Sequence, residues 1–328
     1  MPLQITSEYN KYKSNNHRDR KGDLVEFLVL HYTAVPLGTT LGIFTNNVAL
    51  AEEDRKYFEN SEYSVETLCK QEVSAHYVLA EDGQIFNLVD ETRAAYHAGV
   101  SFWNGKSNIN NQSIGVEHVN QGYQWLPNWA IPKERAIKVE GSDKTWCAFT
   151  EKQIKQTIEL CKSIITKYNI KPFNIVGHSD IACGRKSDPG ALFPWQRLAE
   201  EGIGIWYDLT ESNLNEMPEN FLELAKEKLT TFGYDCRPVE INIDGITEIE
   251  KKEKELEANE TKFKNVVQAF QMHFRPSNID GVIDLECLKI LDSLCERKLN
   301  FELEPTASLV EDKQPEEAAA KTKLKPRF

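Results

Sequence analysis

No stretch of the 328-residue chain approaches the ~20 consecutive apolar residues that a membrane-spanning helix requires. The start is no richer: Met1 to Arg20 is polar and has no apolar h-region, so no signal peptide is read there. Two explanations follow, a protein that stays inside the cell or an export signal that has been removed. Cysteines are few and unpatterned. Cys69, Cys147, Cys161, Cys183, Cys236, Cys287 and Cys295 make an odd number with no C-x-x-C pair, which favours free thiols over a disulfide framework or cysteine-held zinc. Positive charge is in deficit, with 39 Lys and Arg against 51 Asp and Glu. A net charge of −12 makes a poor clamp for nucleic-acid phosphates or an anionic membrane surface. No internal repeat is present.

What the chain does have is a core. At 40% hydrophobic and 27% charged residues it has the profile of a soluble globular protein, and its length suits two ordinary domains. Residues 1–20 read as a polar arm. Asp23–Thr33, Val73–Ala80, Gln84–Val89 and Ser113–Val119 read as strands, with a turn at Ala80–Gly83. Glu52–Gln71 is polar, with helical character at best. Thr150–Gln153 is a capping-box pattern that opens a helix ending before Pro172, and a short strand, Asn174–Gly177, follows. Beyond Trp206 the texture changes. Three helical stripes, around Leu222–Phe232, Phe263–Phe274 and Leu288–Cys295, close a small core of their own, while Glu248–Glu260 is a charged run and 304–328 has a disordered composition. The fold class is therefore α/β, or α+β: a mixed central sheet flanked by helices over 21–208, then a three-helix domain over 209–303.

Seven histidines can be weighed singly. His17 and His273 read as incidental, whereas His31 and His178 each close a strand, where α/β proteins place function. The loop after His178 runs to Lys186-Ser-Asp188-Pro-Gly190, and in an extended loop Lys186 and Asp188 point the same way. Two imidazoles and one carboxylate make a three-ligand zinc set with a fourth position left for water; a local turn capped by Asp188 is the plain alternative. Alternation along Ser113–His118 puts Ser113, Gly115 and Glu117 on one face. Gly115 leaves room for something to approach the sheet there. Glu117 on a central strand needs a partner, such as Lys186, or a task as general base. Tyr96 and His97 sit in an aromatic loop suited to stacking on sugars or peptides, or to plain packing.

Taken together, Val29–Thr33, Ser74–Tyr77, Tyr96–Gly99, Ser113–Glu117 and Gly177–Gly190 resemble, in order and spacing, the zinc-dependent N-acetylmuramoyl-L-alanine amidases of the type 2 amidase family, relatives of the peptidoglycan-recognition proteins. Leu192–Trp206 looks like the AmiD-like branch. Ala269–Pro276 with Asp280–Asp284 resembles the peptidoglycan-binding domain that follows in that branch. The resemblance implies that His31, His178 and Asp188 hold zinc, that Glu117 is the acid/base, and that Lys186 faces the substrate carbonyl. It implies hydrolysis of the amide between N-acetylmuramic acid and L-alanine, with peptidoglycan or muropeptides as partners. A binding or sensing protein with little turnover, or a cytoplasmic muropeptide-recycling amidase, stand as alternatives, and a cell-envelope location is expected. Asn108 occupies the position where many members carry a peptide-gripping arginine, with Lys106 nearby; these two join Tyr96 and His97 as candidate substrate contacts. Cys183 stands where proline is common, and His118 where an apolar residue is usual.

Overall fold

The computed structural model describes residues 12–243 and 247–303. The first part of the polar arm and the 304–328 tail lie outside the described residues. The strands are β1 (His17–Asp19), β2 (Phe27–Tyr32), β3 (Tyr77–Leu79), β4 (Ile85–Asn87), β5 (Arg93–Ala95), β6 (Phe102–Trp103), β7 (Lys106–Ser107), β8 (Ser113–His118), β9 (Ala136–Lys138), β10 (Thr145–Cys147) and β11 (Ile175–Gly177). The α-helices are α1 (Leu37–Thr45), α2 (Val65–Leu68), α3 (Glu151–Tyr168), α4 (His178–Ile181), α5 (Trp195–Glu200), α6 (Phe221–Phe232), α7 (Glu248–Phe274) and α8 (Leu285–Leu303).

Five strands form the central sheet in the order β11-β2-β8-β3-β4, parallel except for the β3–β4 hairpin. β2 and β8 are buried along their whole length, as expected of parallel strands covered on both faces. Alternation then divides their side chains. Leu28, Leu30, Ile114 and Val116 pack with Ile154, Ile158, Cys161 and Ile164 of α3. Phe27 and Val29 pack on the opposite side, with Trp103, Phe173 and residues of α6, α7 and α8. His31 continues that second face at the carboxyl end of β2. The capping box at Thr150 and Gln153 is formed, and α3 ends at a left-handed Asn169 before Pro172. The Glu52–Gln71 segment is a 3-10 stretch, Val48–Phe58, followed by the one-turn α2.

Two sequence expectations change. Over its described part the polar arm is built into the fold: β1 pairs with β5, and Arg20, 6% exposed, donates to the carbonyls of Glu91, Asn111 and Ser113. Among the described residues, the core of the helical region is continuous with that of the sheet. Its Leu229, Phe232, Phe270, Phe274 and Leu291 share one buried cluster with Val29, Trp103, Val176 and Ile181. Trp103 meets Tyr234 and Phe232 edge-on, at 4.8 and 5.9 Å between ring centres. Lys298 reaches from α8 to Asn104 Oδ1 at 2.8 Å and to the carbonyls that end α6. Apolar stripes reveal that a helix has a face to bury. They do not reveal which partner covers it.

Candidate active site

The register of the sheet builds the site. β2 and β8 run in parallel with His31 directly opposite Glu117, both on the face away from α3. β11 lies on the other side of β2 with Gly177 opposite Leu30, so the next residue, His178, opens α4 beside His31. The 182–188 loop then returns, and Ser179 N–H donates to the Asp188 carbonyl at 2.8 Å. Asp188 precedes Pro189 through a cis peptide bond.

Three donor atoms converge there. His31 Nδ1 and His178 Nδ1 are 3.0 Å apart, and Asp188 Oδ2 lies 2.9 and 3.0 Å from them. All three residues are buried. The other ring nitrogens are committed elsewhere. His178 Nε2 donates to the Ala98 carbonyl at 3.0 Å, and His31 Nε2 lies 3.1 Å from His97 Nδ1. The Ala98 carbonyl places the His178 proton on Nε2 and leaves its Nδ1 lone pair facing the carboxylate, and His31 Nδ1 is turned to the same oxygen. Burial, reinforced by His178, lowers the His31 pKa to about 4, so its ring is neutral at physiological pH. Burial pushes the Asp188 carboxyl up, yet the adjoining imidazoles hold it far below the usual carboxylate range. Two imidazole nitrogens and a carboxylate oxygen converge on one buried point, an arrangement of donors that a cation can occupy. The set therefore fits a metal ion, and its nitrogen and oxygen donors suit zinc.

Glu117 adjoins this cluster, with Oε1 3.9 Å from His31 Nδ1. Its Oε2 is buried and has no hydrogen-bond partner among the described residues. Burial and the negative charge of Asp188 raise its pKa well above the ordinary glutamate value, against an opposing pull from Lys186. A carboxylate with a raised proton affinity and an unpartnered oxygen, standing beside a candidate cation site, has the chemistry of a general base. Lys186 is exposed and lines the same cleft as Glu117, His178 and Asp188; its ammonium has no hydrogen bond or ion pair among the described residues. The plain alternative for Glu117, a salt bridge with Lys186, is not made.

The remaining candidates separate. Tyr96 lines the cleft. His97 reaches its wall but spends both nitrogens on His31 and Ser113 Oγ, the latter at 3.1 Å, which makes it a support for His31. It is also what approaches the sheet at Gly115: a Cβ there would lie 2.5 Å from the His97 ring. Lys106 is carried away on the β6–β7 hairpin and pairs with both carboxylate oxygens of Glu26, at 2.5 and 2.6 Å. Asn108 follows that hairpin in a left-handed turn and borders a different cavity, beside Arg185 and Arg237. His118 points to the α3 side, its Nδ1 2.8 Å from the His31 carbonyl and its Nε2 2.9 Å from Thr157 Oγ1. All seven cysteines are free.

Sequence reading missed two supports. His76 Nδ1 accepts from Gly115 N–H at 3.0 Å, bracing β8 beneath Glu117. Asp180, two residues after His178, is fully buried and takes Tyr234 O–H on Oδ1, with His273 Nδ1 and Gly177 N–H on Oδ2, each at 2.7 Å. His273 stacks on Trp195 with 3.8 Å between ring centres. It is not incidental. The helical region grips the turn that presents His178. Only the Asp in Gly-His-Ser-Asp was a signal, because its two partners lie 54 and 93 residues away.

Fold and site together define a hydrolytic enzyme built around a candidate metal centre. The profile of the N-acetylmuramoyl-L-alanine amidase family matches residues 20–191. Amidase AmiD of Escherichia coli is 33% identical over 285 residues, covering 83% of each chain. The structure of that E. coli amidase with the substrate anhydro-N-acetylmuramic acid-L-Ala-D-γ-Glu-L-Lys aligns with a TM-score of 0.58 and 30% identity, over 87% of this chain and 92% of the other. AmpDh3 from Pseudomonas aeruginosa aligns at 0.56 and 31%, over 89% and 98%. This chain belongs to the N-acetylmuramoyl-L-alanine amidase family, whose members hydrolyse the amide between N-acetylmuramic acid and L-alanine.

Proposed function

We propose that His31, His178 and Asp188 hold Zn²⁺, and that the chain uses it to cut the lactyl amide of peptidoglycan stem peptides. The observation that carries this reading is the meeting of two imidazole Nδ1 atoms and one carboxylate oxygen within 3.0 Å. Zinc held there supplies Lewis-acid activation of the amide carbonyl and of water. Glu117 takes the proton of the attacking water on its unused oxygen and returns it to the leaving amine of L-alanine. Lys186 offers a positive charge to the carbonyl oxygen as negative charge develops on it. His97 orients the His31 ring, and the Ala98 carbonyl fixes both the orientation and the tautomer of His178. The peptide lies along the part of the cleft bordered by Tyr96, Val73 and Phe44.

The helical region is read as an aid to holding polymeric substrate. Its Phe-Gln and Asp-Gly-Val motifs form one device: Gln271 Oε1 accepts from Gly281 N–H at 2.8 Å, and Gln271 Nε2 donates to Asp280 Oδ1 at 2.8 Å, which ties the turn to α7. Kinship with AmiD favours work on the cell envelope. Within the described residues, no helix is long and apolar enough to cross a membrane.

The test is mass analysis of products after metal-loaded protein digests purified sacculi. Release of free stem peptides beginning with L-alanine is the expected result, and intact sacculi would refute the reading. His178→Ala should lose stoichiometric zinc while far-ultraviolet circular dichroism stays native; full zinc retention would overturn the ligand set. Lys186→Ala should lower kcat by about ten-fold or more with zinc content unchanged, as expected for a lost charge partner of the developing oxyanion.

A further inference from the structure

Beside the metal cleft lies a second cavity of about 350 Å³. The two share Tyr123, Arg185, Lys186 and Ser187 as a common wall. The far wall of the second cavity belongs to the helical region: Asn265, Gln268 and Met272 line up along one face of α7. The junction is closely built. Gly184 has φ +74°, and a Cβ there would fall 2.3 Å from Asn265 Nδ2, so glycine lets α7 press against the loop that carries Lys186. The side chains of Asn265 and Gln268 are half-buried and make no hydrogen bond to the described residues.

A muramyl amide leaves its reacting carbonyl in two directions, into the peptide and into the sugar. The cleft bordered by Phe44 and Val73 is the more apolar route. The other route passes Lys186 and Ser187 into a cavity lined mainly by hydroxyl, amide and charged groups. Primary amides both donate and accept, as the hydroxyl and acetamido groups of amino sugars require. The volume lies at the lower end of ordinary ligand pockets, enough for one or two pyranose rings.

We propose that this cavity is a saccharide subsite in which Asn265 and Gln268 of α7 hydrogen-bond the glycan attached to the muramyl residue under attack. This rests on the amidase reading and extends it. The helical region then contributes specificity within reach of the scissile bond, rather than holding the polymer at a distance.

The test uses the full-length, zinc-loaded protein and the double variant Asn265→Ala, Gln268→Ala. Two measurements are made. The first is the ratio of kcat/KM for a muropeptide carrying a glycan chain to that for a single-sugar muramyl peptide. That ratio should fall about five- to ten-fold, the effect of two lost neutral hydrogen bonds, and the fall should lie in KM. The second is calorimetric binding of a peptide-free N-acetylglucosamine–N-acetylmuramic acid oligosaccharide, which the wild type should bind and the variant should not. An unchanged ratio, or equal oligosaccharide binding by both proteins, would overturn the subsite. Oligosaccharide binding requires no turnover, so it judges the subsite even if wild-type hydrolysis, and with it the amidase reading, fails.

Discussion

Glu117→Gln should reduce kcat by ~10² or more while leaving zinc binding stoichiometric, because the amide keeps the size of the side chain but cannot take the water's proton. Steady-state rates on a soluble muropeptide, set beside metal analysis of the same preparation, provide the check. Near-normal turnover would move the acid/base role elsewhere. The same substitution should have the opposite effect on stability. Burial and Asp188 raise the Glu117 pKa in the folded protein. An acid whose folded pKa lies above its unfolded value, ~4.3, binds protons more tightly when folded, so it costs stability as pH rises past that unfolded value. The metal-free Glu117→Gln protein should therefore melt above the metal-free wild type at pH 7, and the difference should vanish below about pH 4. Such a gain at the expense of turnover is the usual signature of a strained functional group.

Ending the chain after Asp208 should abolish stable folding, not merely weaken hold on the polymer. The sequence alone suggested a separable binding unit, but removing 209–328 uncovers Trp103, which packs on Phe232 and Tyr234, and the Trp195 face that stacks on His273. Each large side chain returned to water costs roughly 1.5–3 kcal/mol, against a total stability of about 5–15 kcal/mol for an ordinary domain. The same cut strips Asp180 of Tyr234 and His273. The expected outcome is aggregation on expression, or a product with no cooperative melt and no stoichiometric zinc. A soluble truncated protein that melts near the full-length temperature and cleaves soluble muropeptides at the same rate would show that the shared core is dispensable.

The parts of this enzyme that local chemistry dictates were legible from the sequence. Period-two alternation placed Glu117 on one face of β8 and His118 on the other, and the histidines at strand ends marked the site. Glycine at 115 signalled a close approach, although not that the visitor is His97. Parts decided by distant partners were not legible. Lys106 looks available for a ligand until Glu26, 80 residues away, claims it. Arg20 sits in a run of polar residues that reads as solvated, yet it is enclosed by three carbonyls from two other segments. His273 lies within the Ala269–Pro276 motif but reads as incidental there, and only the packing of α7 on the 178–181 turn gives it a role. Conversely, the pattern of Gly177–Gly190 was enough to single out His178 and Asp188, which the loop, closed on itself through Ser179 and Asp188, brings together with His31.

The order in which the ribosome delivers this chain matters to the proposed metal site. His31 emerges early, but its fellow donors follow 147 and 157 residues later. The helix whose His273 steadies the turn bearing His178 arrives later still. On the proposed ligand set, a nascent chain cannot complete the metal site before Asp188 has been made, so the ion would be bound only once β2, the turn bearing His178 and the 182–188 loop have come together.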